Sequence, residues 1–164
     1  MGLACQQATR WQGLDVCQFR CRPCAVGWRK IQRMTHALFI YGTLMPGLRL
    51  EAEMHGARFV GAAQVPGRLV DVGRYPGLLH GEGLVSGEVY EVDDAQLARL
   101  DEVEDMVPGN RAASQYWRET VTVVGGPQQG QMVQTYVYNR PAEGCTPIPH
   151  GDYRRYIRDV GRDS

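Results

Sequence analysis

The chain has 164 residues, enough for one ordinary domain with its own hydrophobic core. Apolar residues make up 43% and charged residues 22% of a chain with zero formal net charge, which excludes the strongly basic composition of many nucleic-acid-binding proteins. No apolar run approaches the roughly 20 residues of a membrane-spanning helix, so we expect neither nucleic acid nor membrane as a partner.

The first 33 residues differ from the rest in charge and cysteine content. They hold six basic residues and one acid, a net of +5, and four of the five cysteines: Cys5, Cys17, Cys21 and Cys24. A zinc site is one interpretation, although the spacing lacks paired C-x2-C knuckles. A basic targeting peptide is another, but a continuous apolar segment and a small-residue cleavage site are missing. We favour a third, in which residues 1–34 are a disordered or misassigned leader and residues 35–164 form the domain.

The first half of this domain reads as strands separated by turns. Residues 37–44, ALFIYGTL, predict a strand running into a Gly turn. Residues 48–61 predict a short helix ending near Gly56 and then an extended segment. Residues 65–79, VPGRLVDVGRYPGLL, contain two Pro-Gly pairs, which predict turns around a short strand.

The second half contains the clearest helix. Asp93 and Gln96 resemble a capping box, which predicts a helix over residues 93–104. Three segments with alternating apolar and polar residues predict strands: 83–92, 115–124 and 130–141. Residues 151–160 predict a short surface helix. Because strands outnumber helices without alternating regularly with them, the pattern indicates an α+β fold, with antiparallel strands curled into a sheet or small barrel.

The acidic sequence LDEVED at residues 100–105 carries the strongest chemical signal. At 100° per residue, Leu100 and its apolar neighbours form one face of the helix, and Glu104 is the only one of the four acids within that face. A carboxyl on the buried side has a raised pKa, which suits general acid–base catalysis. The alternative is a frayed helix end, with Glu104 turned to solvent or bonded to Arg118.

Two motifs then coincide: the Tyr-Gly-Thr-Leu turn after a strand, and the L-D-x-x-E helix end after a G-E-V-Y-x-V strand. Together they resemble the gamma-glutamylcyclotransferase-like superfamily, and the order of segments agrees along roughly residues 37–141. The resemblance implies an α+β fold built on a small mixed, mainly antiparallel β-barrel with a few short helices.

The resemblance also implies roles for particular residues. Glu104 is the general acid/base, Tyr116 lines the pocket and Arg118 supports it. The family's substrate loop, whose backbone N–H groups hold the glutamyl moiety, corresponds to Tyr41, Gly42, Thr43 and Leu44. Gly42 is read as letting the backbone approach this ligand.

The implied activity is the intramolecular cyclisation of a small γ-glutamyl amide to 5-oxoproline, with release of an amine and without a metal or cofactor. Cys145, the single cysteine of the main domain, fits a reducing cytoplasm. Two alternatives remain: a non-catalytic domain that binds a small metabolite in a regulatory role, and a structural partner protein that uses residues 105–115 as its contact. The sequence does not predict the oligomeric state.

The remaining side chains of the motifs are predicted to be structural. Glu88 should face solvent or an Arg on a neighbouring strand. Tyr75 should pack against its turn, with a place at the border of the pocket as the alternative. Asp101 should cap or brace the helix end, while Trp117 and Tyr136 should lie in the core.

Overall fold

The structure, a computed structural model, describes residues 34–162. The predictions for the leader lie outside these residues. Six strands and two α-helices follow in chain order: β1 (Thr35–Ile40), β2 (Arg58–Asp71), β3 (Pro76–Asp93), α1 (Asp94–Val103), β4 (Tyr116–Thr122), β5 (Met132–Tyr138), β6 (Thr146–Ile148) and α2 (Tyr153–Asp159). Two short 3-10 helices, Glu51–Met54 and Arg111–Ala113, lie in the connections. The helix predicted before Gly56 is the first of these.

The six strands form one sheet in the order β4-β5-β1-β3-β2-β6. All neighbouring strands are antiparallel except β1 and β5, which are parallel. The sheet curls until Gln64 of β2 bridges Gly125, just beyond β4, with the Gln64 N–H 2.9 Å from the Gly125 carbonyl. The predicted α+β fold with a mixed, mainly antiparallel barrel-like sheet is confirmed.

The predicted turn at Pro66-Gly67 is wrong, because β2 and β3 form one long bent hairpin that runs through it. Pro66 pairs with Leu84 and Arg68 pairs with Leu79, so the register shifts between them. Gly67 has a φ of +145°, and a Cβ on Gly83 would lie 2.9 Å from the Gly67 carbonyl oxygen. The two glycines let both strands bend together at a bulge instead of reversing the chain.

The core fills the inside of the curled sheet. Leu38 and Phe39 of β1 are fully buried, as are Val65 of β2 and Leu100 of α1. The central strand β1 therefore contributes apolar side chains that are shielded on both sides, consistent with its continuous apolar sequence. The last helix, α2, was predicted to lie on the surface but packs its Tyr153 and Ile157 inward.

Helix α1 begins as the sequence predicts. The Asp93 carboxylate accepts a hydrogen bond from the Gln96 N–H at 2.9 Å, which caps the N-terminus of the helix. The Gln96 side chain does not complete a capping box; its amide instead donates to the carbonyl oxygens of Glu53 and His55. These bonds tie α1 to the loop between β1 and β2, so the helix and the loop are held as a unit.

Candidate active site

A pocket lies where four segments meet: the turn after β1, the start of β3, the end of α1 and the start of β4. Its volume is about 550 Å³ including the open mouth. All six residues predicted for the site line it: Tyr41, Gly42, Thr43, Leu44, Glu104 and Tyr116. The structure thus brings together two motifs that are about 60 residues apart in the sequence.

The turn after β1, which lines this pocket, contains backbone N–H groups without an acceptor in the described part of the chain. The Gly42 carbonyl accepts a hydrogen bond from the Met45 N–H at 2.9 Å, and the Thr43 carbonyl accepts one from the Leu50 N–H at 2.8 Å. The turn is therefore stabilised by the carbonyl groups of Gly42 and Thr43 and not by their N–H groups. The N–H groups of Gly42, Thr43 and Leu44 have no acceptor among residues 34–162. Successive N–H groups of this kind are suited to bind an anion such as a carboxylate.

The two predicted pocket tyrosines use their hydroxyl groups to hold the fold. The Tyr41 hydroxyl donates to the Tyr136 carbonyl at 2.7 Å and accepts from the Leu78 N–H at 3.2 Å. The Tyr116 hydroxyl donates to the Pro76 carbonyl at 3.0 Å. Burial is the main cause that raises the pKa of Tyr41 and of Tyr116 well above the usual value, so both hydroxyls remain protonated. Their rings form the pocket wall.

Gly42 is required by a contact within the protein. A Cβ at this position would lie 2.7 Å from Cγ of Pro76, the first residue of β3, which is closer than van der Waals packing allows. The prediction that Gly42 lets the backbone approach a ligand therefore has a competing explanation in the packing of the turn against Pro76. Both Gly42 and Pro76 line the pocket, so their contact also sets its shape.

Glu104 is the C-cap of α1, and a Schellman motif fixes its position. The Met106 N–H donates to the Asp101 carbonyl at 2.8 Å, and the Asp105 N–H donates to the Glu102 carbonyl at 3.1 Å. Asp105 takes the left-handed conformation that glycine usually provides there, with a φ of +50°. The helix end is therefore well defined, which argues against the frayed end that the sequence left open.

The environment of Glu104 favours its protonated form. The carboxyl is partly buried, and this burial, together with the neighbouring Asp105 charge, raises its pKa from 4.5 to about 7. Its place at the C-terminal end of a helix, where the helix dipole is negative, acts in the same direction. No hydrogen bond or ion pair joins the Glu104 side chain to another of residues 34–162. A carboxyl with these properties can both accept and donate a proton near neutral pH.

The helical wheel was wrong about Asp101, which is buried although it was placed outside the apolar face. Its side chain accepts two hydrogen bonds from Arg118, at 2.8 and 3.0 Å, and one from the Tyr136 hydroxyl at 2.7 Å. Strands β4 and β5 supply these partners, so the polar side of α1 also lies against the sheet. Arg118 consequently pairs with Asp101, and Glu104 is left without a cation.

Sequence reasoning underestimated several other residues. Tyr136 is buried as predicted for a core residue but also lines the pocket, and Tyr75 lines it as the alternative prediction had it. Gln115, which was not singled out, lines it as well. Glu88 pairs with Arg154, but this arginine comes from helix α2 and not from a strand, at an N–O distance of 2.7 Å. Arg154 also donates to the Pro46 carbonyl at 3.0 Å and so ties α2 to the turn after β1. In the sequence, the signal that could have pointed to Tyr75, Gln115 and Tyr136 was that they lie within or next to the segments that resemble the family.

The described part of the chain, residues 34–162, holds no cluster of three or more His, Cys, Asp or Glu side chains that could bind a metal ion. No helix in this same range is long and apolar enough to cross a membrane.

Comparison with known proteins identifies the family. The model of the family described as gamma-glutamyl cyclotransferase, AIG2-like matches residues 38–155. The chain belongs to this family, which confirms the resemblance seen in the two motifs.

Individual relatives agree with this assignment. The gamma-glutamylcyclotransferase family protein ytfP of Citrobacter rodentium is 32% identical over 124 residues, which cover 71% of this chain and 93% of that protein. The gamma-L-glutamyl-butirosin B gamma-glutamyl cyclotransferase of Niallia circulans is 42% identical over 107 residues, or 63% of this chain and 67% of that protein. The crystal structure of an AIG2-like protein from Mus musculus superimposes with a TM-score of 0.62 at 28% identity, covering 73% of this chain and 88% of that chain.

Proposed function

We propose that the protein is a gamma-glutamyl cyclotransferase that converts a small γ-glutamyl amide into 5-oxoproline and a free amine, with Glu104 as general acid and base. The observation that carries the proposal is the Glu104 carboxyl with a pKa of about 7 in the same pocket as the unpaired N–H groups of residues 42–44. Family membership supports the reaction class, because the relatives are named for γ-glutamyl cyclotransfer.

The substrate supplies its own nucleophile. Its α-amino group is an ammonium ion near neutral pH, and Glu104 would take a proton from it. The neutral amine then attacks the γ-carbonyl carbon, and a five-membered ring closes. Because both reacting groups belong to one molecule held in a folded pose, the reaction profits from a high effective concentration.

The protons balance without any further reactant. The attacking nitrogen gives up two protons in total, and the leaving nitrogen takes up two, one as the amide C–N bond breaks and one as the product amine becomes an ammonium ion. Glu104 can carry each of them in turn, because a pKa of about 7 makes both of its protonation states accessible at neutral pH. The released products are 5-oxoproline and the ammonium form of the leaving amine.

The turn after β1 would bind the glutamyl end. Its three unpaired N–H groups match an anionic α-carboxylate, and the rings of Tyr41 and Tyr116 would flank the hydrocarbon part of the glutamyl chain. Since the tyrosine hydroxyls already hold the fold, we assign these two residues to shaping the pocket and not to proton transfer.

The test is release of 5-oxoproline from a panel of γ-glutamyl amino acids, amines and dipeptides. We expect Glu104→Gln to lower kcat by about 10²–10⁴-fold, the usual contribution of a general acid or base. Glu102→Gln is the matched control, because Glu102 lies on the same helix with its side chain exposed. Equal turnover by wild type and Glu104→Gln would remove Glu104 as the base.

The competing function is a non-catalytic domain that binds a γ-glutamyl metabolite. Wild-type protein that releases no 5-oxoproline from any member of the panel, but binds one of them in calorimetry, would establish that alternative. A pure binding site would use the ionised Glu104 carboxylate to pair with the α-ammonium group, so turnover and not binding distinguishes the two functions.

A further inference from the structure

A second cavity adjoins the first and shares Thr43 with it. Its volume is about 890 Å³ including the open mouth, and Thr43, Leu48 and Arg49 form one side. Arg74, the neighbour in sequence of the pocket residue Tyr75, also lines it. The two cavities are therefore built on the same two segments, the turn after β1 and the turn between β2 and β3.

The second cavity carries an excess of positive charge. Three guanidinium groups line it, from Arg49, Arg74 and Arg162. Arg162 is neutralised by Asp71, with an N–O distance of 2.8 Å. Arg49 and Arg74 form no ion pair with any of residues 34–162. Two exposed cations thus face this space without a protein anion.

Arg49 stands at the junction of the two cavities. Its guanidinium carbon lies 4.8 Å from the centre of the Tyr75 ring, and Tyr75 belongs to the wall of the Glu104 pocket. Stacking on the ring restrains the guanidinium while leaving its N–H donors free for a ligand. A group bound by Arg49 would therefore lie beside whatever occupies the first pocket.

The rest of the cavity wall is apolar or aromatic. Leu48 comes from the turn after β1, while Tyr153 and Ile157 are the two buried residues of helix α2. Such a wall suits a small hydrocarbon or amino-acid side chain, with the charged group held at the arginines.

We propose that this cavity receives the leaving amine of the substrate and selects amines that carry a carboxylate, such as amino acids and short peptides. The inference rests on the proposed cyclotransferase function, since it assigns the part of the substrate beyond the scissile amide. In this arrangement the α-carboxylate of an amino-acid leaving group, one carbon from the scissile nitrogen, lies at the junction where Arg49 stacks on Tyr75. A neutral or cationic amine would leave the two arginines unpaired.

The experiment compares three substrates that share the glutamyl part: γ-glutamyl-alanine, γ-glutamyl-alaninamide and γ-glutamyl-diaminobutane. The first two differ only in the charge of the leaving group. A charge-assisted contact stabilises by about 1.5–3 kcal/mol, so we expect kcat/KM to favour the acid over the amide by about 10–100-fold. The cationic substrate should be turned over most slowly.

Variants connect this preference to the arginines. The double substitution Arg49→Gln and Arg74→Gln should reduce the acid-to-amide ratio to about one. Arg158→Gln is the matched control, because Arg158 lies exposed on α2 and does not line either cavity. Both substrates are assayed with the same preparation of each protein. A partial loss of folded enzyme lowers both rates equally and leaves their ratio unchanged.

The outcomes separate this inference from the proposed function. A wild-type enzyme that cyclises the amide or the diamine as well as the acid keeps the proposed function but overturns the leaving-group subsite. An acid preference that survives the double substitution also overturns it. Failure to release 5-oxoproline from any member of the wider γ-glutamyl panel refutes the function itself, and the subsite falls with it.

Discussion

Asp105 offers a direct test of how the site sets the proton affinity of Glu104. It holds the left-handed position of the Schellman motif, with a φ of +50°, and its charge is the second cause, after burial, of the raised Glu104 pKa. Asn tolerates the left-handed conformation as Asp does, so Asp105→Asn removes the charge while keeping the turn. The substitution should lower the Glu104 pKa.

The size of this effect follows from Coulomb's law. Two unit charges on neighbouring side chains, about 7 Å apart and partly screened by water with an effective dielectric constant of about 50, interact by about 1 kcal/mol. This energy corresponds to a pKa change of about 0.7. With the wild-type pKa at about 7, the ionised fraction at pH 6 should rise nearly fourfold and that at pH 8.5 should hardly change.

The assay is the pH dependence of kcat/KM for 5-oxoproline release, which reports the ionisation of the free enzyme. The wild-type profile should rise with pH through a midpoint near 7, and the midpoint for Asp105→Asn should be lower. Asp159→Asn, an exposed substitution on α2 with the same change of charge, should leave the midpoint in place. An unshifted or higher midpoint in a normally folded Asp105→Asn protein would refute the assignment of this ionisation to Glu104.

Three further predictions concern stability and geometry. Since the pKa of folded Glu104 is raised from 4.5 to about 7, its ionisation opposes folding as pH rises through that interval. Glu104→Gln should therefore increase the free energy of unfolding by up to about 3 kcal/mol at pH 8 and by almost nothing at pH 4, measured in urea; equal gains at both pH values would contradict this. Gly42→Ala should lower kcat/KM about tenfold, because its Cβ would meet Pro76 and displace the turn; unchanged kinetics would show that the turn tolerates the shift. Arg154→Gln should cost about 2 kcal/mol in thermal unfolding, and its effect should be non-additive with that of Glu88→Gln, as expected for a direct ion pair.

Under the proposed function, the raised pKa of Glu104 implies a compromise between stability and activity. Glu104 carries no compensating cation, although Arg118 is near enough to pair with Asp101 of the same helix. Arg118 instead donates to both carboxylate oxygens of Asp101. Asp101 is thus bonded to Arg118 and Tyr136, whereas Glu104 has no such partner among residues 34–162 and a raised pKa.

Much of the fold could be predicted because local patterns carried it. The alternation of residues 115–124 and 130–141 predicted strands β4 and β5, which pair in the structure, and Asp93 predicted the first turn of α1. The two motifs predicted that Glu104 and the turn after β1 belong to the same site, and both line one pocket in the structure. These signals act over a few residues, so tertiary contacts did not alter them.

The errors arose where partners come from distant parts of the chain. The helical wheel treated Asp101 as exposed because it considered one helix alone, whereas Arg118 and Tyr136 approach that side from the sheet. The Pro66-Gly67 pair suggested a turn, but pairing with the long strand β3 converts it into a bulge.

The sequence by itself determined strands β1, β4 and β5, the start of α1 and its acidic end, and the turn after β1, because hydrophobic periodicity and turn chemistry are local properties. The tertiary structure decided which carboxyl is paired and which is free to titrate, and it placed Arg49 beside the pocket wall at Tyr75. Burial and charge contacts depend on what the rest of the chain packs against each group, so only the folded arrangement could assign them.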